Sequence, residues 1–151
     1  MRDMTDNIGF LISDVSRLMR RQFDERARVI GVTRAQWRTL TMLNRNEGIN
    51  QGKLAELLEV EPITLCRMVD RLEEAGHVER RRDPHDRRAW QIYLTDSARP
   101  LIDDLRAIAD TMFAEALAGI DPQRQSQFIA TLNDIRANLA ETDDTQEAHH
   151  G

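Results

Sequence analysis

The chain has 151 residues, 40% hydrophobic and 31% charged, with a single cysteine and a formal net charge of −5. That length suits one domain's worth of core and is short for two independent ones, while a lone cysteine, Cys66, excludes an internal disulfide and a cysteine-cluster metal site. No apolar run approaches the ~20 residues of a membrane span and the opening MRDMTDN is not a secretory signal, so the chain is expected in the cytoplasm, without a membrane partner.

The charge is unevenly spread. Residues 1–33 and 34–99 each carry a net +1, whereas residues 100–151 carry −7. Of the 21 basic residues only Lys53 is lysine. An arginine bias suits planar, bidentate partners such as phosphate or guanine, although high genomic GC content would produce it equally well.

Ile8, Leu11, Ile12, Val15, Leu18, Met19, Phe23 and Ala27 trace a helical stripe that ends near Gly31 and is broader than the outer helix of a monomer needs. Arg17, Arg20, Arg21, Arg26 and Arg28 mark its wetter side. Thr33 caps a second helix, with Gln36 as capping-box partner, running through Trp37, Leu40, Met42 and Leu43. Asn50 begins a short third helix with Leu54, Ala55, Leu57 and Leu58 apolar; Gln51 and Lys53 lie near its start, where free amides also suit a phosphate.

Pro62 fits the first position of a fourth helix, because its missing amide has no intrahelical partner there, and Gly76 closes that helix. Leu65, Met68, Val69 and Leu72 form its inward face; Ile63, Thr64, Arg67, Asp70, Arg71 and Glu74 face out. Two short helices joined by a tight turn, the second with an exposed polar N-terminal half, form a helix-turn-helix. Arginine to guanine is the commonest specific base contact, which makes Arg67 the first candidate for base readout; a phosphate clamp or a surface ion pair with Asp70 is the alternative. Residues 77–82, a turn at 83–86 and residues 87–94 then read as strand, turn, strand. Residues 80–88 hold five arginines against Asp83 and Asp86, a local net charge of +3 with histidine neutral. Such a tip can reach phosphates or enter a narrow minor groove, and a merely solvated hairpin is an even alternative. Asp86 reads as structural, orienting an arginine across the hairpin.

Thr95, Asp96 and Ser97 start a long helix that tolerates Pro100 in its first turn. Its apolar residues, from Leu101 to Ile120, make two adjoining stripes, which implies burial on both sides. Asp121-Pro122 caps a last helix carrying Phe128, Ile129, Leu132, Ile135 and Leu139, and from Glu141 a frayed polar tail is expected. The first helix and the last two show more apolar surface than the middle of the chain can cover. A homodimer is therefore expected, with a monomeric bundle as the alternative.

The stretch TLCRMVDRLEEAG at 64–76, Glu79-Arg80, Asp83-Pro84-His85-Asp86-Arg87-Arg88 and Leu94-Thr95 resemble the recognition helix, wing and wing-to-helix junction of MarR-family transcription regulators. Gln36-Trp37, Leu94-Thr95 and Pro100 look closest to the SlyA-like branch, and the order of elements extends the resemblance over roughly residues 8–139. It implies a mainly α fold with a small β wing. Residues 1–32 would be an N-terminal dimerisation helix, 33–95 a winged helix-turn-helix DNA-binding domain, 96–140 C-terminal dimerisation helices and 141–151 a polar tail. The expected partner is double-stranded DNA carrying a pseudo-palindrome with half-sites about one helical turn apart. Gln51, Lys53, Pro62, Ile63, Thr64, Arg67, Arg71, Arg82, Arg87 and Arg88 are the expected DNA contacts, Arg87 matching the family's wing arginine.

The resemblance further implies a small aromatic carboxylate effector, whose carboxylate Arg17 would pair and whose ring Trp37 would wall; surface arginine and core tryptophan is the equal alternative. Oxidant-sensing relatives carry their reactive cysteine in the first helix, so Cys66 reads as a small packing residue. No cofactor, metal ligand or catalytic residue is expected: His77, His85, His149 and His150 lack metal-ligand spacing, and there is no Gly-rich phosphate loop or nucleophile elbow. The net negative charge keeps open a different class, a winged-helix module that binds a protein instead of DNA.

Overall fold

Local chemistry marks where the helices begin. Thr33 Oγ1 accepts the Gln36 N–H at 3.2 Å while Gln36 Oε1 accepts the Thr33 N–H at 3.0 Å, the reciprocal capping box read from the sequence. Asn50 Oδ1 accepts the Gly52 N–H at 2.8 Å, and Asp121 Oδ1 accepts the Arg124 N–H at 2.9 Å. In a computed structural model, which describes the backbone of residues 3–147 and the side chains of residues 7–142, these caps open α2 (Arg34–Arg45), α3 (Gln51–Leu58) and α6 (Pro122–Glu147). The other elements are α1 (Asp3–Val29), α4 (Pro62–Glu74), β1 (Val78–Arg82), β2 (Trp90–Leu94), a 3-10 turn (Asp96–Ala98) and α5 (Arg99–Ala116). The fold is mainly helical with one small antiparallel sheet, as expected. Among the described residues no helix is long and apolar enough to cross a membrane.

The chain divides into two compact units, Met1–Met112 and Phe113–Gly151. The first contains the core. Leu40 and Leu43 of α2, Leu54 and Leu58 of α3, Leu65, Val69 and Leu72 of α4, Ile92 and Leu94 of β2, and Ile102 and Leu105 of α5 are buried in one cluster with Phe23 and Ala27 of α1. Each fully buried leucine or isoleucine contributes roughly 1.5–3 kcal/mol relative to exposure. Two stripes stay outside this cluster. On α1, Ile8, Phe10, Leu11, Ile12, Val15 and Leu18 are exposed, Phe10 by 71%; in the second unit, Phe128, Ile129, Leu132, Ile135 and Leu139 of α6 are exposed.

β1 pairs with β2 so that Val78 lies opposite Leu94 and Arg82 opposite Trp90. The sheet departs from the sequence reading in two ways. The strands are shorter and the connection longer, residues 83–89, so Arg87 and Arg88 belong to the tip and not to the second strand. The other edge of β2 is also covered: Gly48 N–H donates to Ile92 O at 2.8 Å, Ile92 N–H donates to Ile49 O at 3.0 Å, and Asn50 forms a bridge with Gln91. A three-residue segment is too short to show alternation in sequence.

The Leu94-Thr95 pair has a physical basis. Leu94 is buried in the core, and Thr95 Oγ1 and Ser97 Oγ both donate to Gly76 O, at 2.5 and 2.7 Å. Gly76 itself has φ +80°, the left-handed conformation that lets α4 stop and the chain enter β1. Ser97 therefore lies in the 3-10 turn and Pro100 in the first turn of α5. That helix ends at Ala116, so Leu117 and Ile120 fall beyond it, the chain turning at Gly119 with φ +80°. At the other end α6 continues past Glu141 to Glu147, where a frayed tail was expected; residues 141–147 include no Gly or Pro to break a helix. Residues 148–151 of that expected tail lie outside the described residues.

A polar knot joins α1 to α2. The Asp24 side chain, 12% exposed, accepts from Arg34 Nε at 2.6 Å and from Trp37 Nε1 at 2.7 Å, beside a Phe23–Trp37 ring contact of 4.4 Å. Burial raises the Asp24 pKa, but the hydrogen bonds from Arg34 and Trp37 and the charges of Arg34 and Arg28 outweigh it and hold the carboxyl below its usual value. A carboxylate depressed in the folded state adds stability above its unfolded pKa, and that stability disappears as pH falls through the folded pKa. Asp24→Ala, which leaves the indole N–H without its acceptor, should cost about 1–3 kcal/mol in urea melts at neutral pH. The difference from the parent chain should shrink in acid; a difference that is constant with pH would show that the carboxylate charge contributes nothing.

Candidate nucleic-acid interface

Because Leu65, Val69 and Leu72 are drawn into the core, α4 turns Pro62, Ile63, Thr64, Arg67 and Arg71 outward, all exposed. Thr64, Arg67 and Arg71 follow one another at helical spacing on one face. Among the described residues neither Arg67 nor Arg71 has an ion-pair partner. Asp70, the partner offered for Arg67 by the sequence, pairs instead with Arg80 at 2.7 Å.

Arg80 is the residue whose role could not be read in advance. Its side chain is only 13% exposed. Its guanidinium donates to Gln51 Oε1 at 3.1 Å, to Glu73 Oε1 at 3.2 Å and to Cys66 O at 3.2 Å, while its backbone N–H donates to Glu73 Oε2 at 3.1 Å. One planar fork thereby fastens the first residue of α3, two turns of α4 and the middle of β1. Cys66, half-buried, sits beneath it, with Sγ 3.9 Å from Arg80 Nη2. Gln51 is likewise half-buried with its oxygen engaged, and Lys53 is exposed two residues on.

The remaining wing arginines fall into two pairs. Arg81 donates through Nε to Glu79 at 2.7 Å and stacks over the Tyr93 ring at 4.0 Å. Arg82 lies 4.7 Å above the Trp90 ring and donates through Nη1 to Arg87 O at 2.8 Å. Both are exposed but held along the sheet. Arg87 and Arg88 are exposed at the tip with no side-chain partner among the described residues. The tip is folded by its aspartates: Asp83 Oδ1 accepts the His85 N–H at 2.8 Å and Asp86 Oδ1 accepts the Arg88 N–H at 3.0 Å. Asp86 is thus structural, but it orients backbone and not, as expected, a guanidinium.

The two effector candidates are not brought together. Arg17 is exposed and pairs with Asp14 of its own helix at 3.6 Å, and Trp37 is half-buried in the α1–α2 knot. Among the described residues no group of three or more metal-ligating side chains occurs.

Helix, turn, helix and a basic two-stranded wing clamped to both helices define a winged helix-turn-helix protein. The MarR family model matches residues 32–90. Crystal structures of similar chains include the transcriptional regulator PA3341 (38% identity, TM-score 0.77, covering 89% of this chain and 98% of that one). A MarR-family transcriptional regulator from Silicibacter pomeroyi (30%, TM-score 0.76, 87% and 89%) and another from Rhodococcus sp. RHA1 (30%, TM-score 0.74, 89% and 96%) are also similar. The chain belongs to the MarR family of transcriptional regulators.

Proposed function

We propose that the chain is a homodimeric transcription regulator that binds a pseudo-palindromic DNA duplex and is released by a small carboxylate-bearing effector. The observation that carries this reading is the Arg80 clamp: it holds the exposed guanidiniums of Arg67 and Arg71 on α4 in fixed relation to a wing that carries Arg87 and Arg88. Arg67 and Thr64 read base edges; Ile63, packing against the T methyl, and Pro62 lie beside them at the start of the helix. Gln51, Lys53 and Arg71 hold phosphates along the groove, and Arg82, Arg87 and Arg88 reach backbone or the adjacent minor groove. The exposed apolar stripes of α1 and α6 support a symmetric dimer, since such stripes on a soluble chain are sites of association.

Genomic fragments retained by the purified chain, sequenced and remeasured by fluorescence anisotropy, test the proposal. Affinity for a retained fragment should fall steeply with salt, roughly 10³–10⁵-fold between 50 and 200 mM if six to ten phosphates are neutralised. Binding indifferent to salt, or no fragment retained, would point to a protein partner instead. Sedimentation should give a dimer, and Leu11→Glu with Leu132→Glu should give a monomer.

A further inference from the structure

Trp90 opens the second strand of the wing, and Arg82, the last residue of the first strand, is its register partner. Partners across an antiparallel pair share one face of the sheet, which puts the Arg82 guanidinium over the indole, 4.7 Å from the ring. The indole is half-buried and packs against the hydrophobic core, so it is a fixed surface, whereas Arg82 is exposed. A guanidinium laid flat on a ring keeps its edge free to donate. Here the edge is used at the tip: Nη1 donates to Arg87 O at 2.8 Å. The neighbouring pair, Arg81 over Tyr93, lies on the other face of the sheet and donates back to Glu79, away from the tip.

The tip itself is shaped from within. Asp83 N–H donates to Ala89 O and Ala89 N–H donates to Asp86 O, both at 3.1 Å, while the Asp83 and Asp86 side chains accept the His85 and Arg88 N–H groups. These bonds fold the loop; the bond to Arg87 O decides which way it leans. That carbonyl belongs to the planar peptide between Arg87 and Arg88, so holding it orients the stems of both exposed guanidiniums. We propose that Trp90 is a positioning residue for DNA binding: through Arg82 it holds the Arg87–Arg88 peptide, so that both guanidiniums are aimed before the duplex arrives. It touches no nucleotide itself. The role rests on the DNA-binding reading and adds to any phosphate that Arg82 meets with its remaining N–H groups. A loose tip must instead be ordered on binding, and that entropy is subtracted from the affinity.

Trp90→Leu removes no charge. On a retained fragment it should nevertheless weaken binding about two- to fivefold, the scale of one exposed cation–π contact, and lower the salt slope by about one, as if a phosphate contact were gone. In a chain already carrying Arg87→Ala and Arg88→Ala the same substitution should cost nothing further, because no guanidinium remains there to be aimed. Trp90→Phe, which keeps a ring under Arg82, should recover most of the affinity. Arg82→Lys, exposed and charge-conserving, should repeat the loss and serves if Trp90→Leu does not fold. In the free full-length chain, NMR order parameters of the Arg87 and Arg88 amides should fall in Trp90→Leu and stay near the parent values in Trp90→Phe. Order parameters that do not change would overturn the role, as would a loss of affinity that persists in the double-alanine chain, which would place Trp90 itself on the DNA. Either result on a retained fragment removes this role alone, whereas a parent chain that retains no fragment removes the function proposed above and this role with it.

Discussion

Arg80→Ala should weaken binding to specific and random duplexes alike, by tenfold or more, an energy of about 1.4 kcal/mol, while leaving the dimer intact. The side chain does not face solvent, so the loss comes from orientation and not from a missing phosphate contact. Without the guanidinium, Gln51, Cys66 O, Asp70 and Glu73 lose the group that collects them, and α3, α4 and β1 become free to shift separately. Losing these charge-assisted bonds should also lower the unfolding free energy by about 1–3 kcal/mol. Arg80→Lys should recover little, because a point charge on a flexible stem cannot serve several acceptors in a plane. Hydrogen exchange at residues 78–94 separates this from general destabilisation: it should accelerate there more than in α2. Unchanged affinity, or exchange that rises uniformly, would remove the clamp from the account.

Arg67→Ala should show the opposite pattern. On the specific site the loss should be ~1–3 kcal/mol, with relaxed discrimination at one base pair and little change on random duplex. The structure supports this contrast because Arg67 has no ion-pair partner among the described residues and is exposed on α4, whereas Arg80 is spent internally. Equal losses on specific and random DNA would make Arg67 a phosphate clamp, and the base readout would then have to come from Thr64 or the wing.

What the sequence disclosed follows from the distance over which each feature acts. The capping box of Thr33 and Gln36, Pro62 at the start of α4 and Gly76 beyond its end are decided within four residues, and all were legible. The inward faces of α2 and α4 were legible through periodicity, as was that of α3 apart from Leu57, which is apolar but exposed. The arginines between 80 and 88 looked alike because composition records charge and not its neighbours. Gln51 and Arg80 are separated by 29 positions, and no local pattern announces that one will accept from the other. The edge formed by Gly48, Ile49 and Asn50 was hidden for a similar reason, since only the folded position of β2 gives those residues a role.

That edge fixes something further. With β1 on one side and residues 48–50 on the other, β2 has no free flank along which to slide. A slip of one position would expose Ile92 and Leu94 and turn Tyr93 inward. The hairpin therefore acts as a ruler of set length: trimming or extending residues 83–89 alters only how far Arg87 and Arg88 extend, whereas a change in the short segment before α3 moves the zero mark itself.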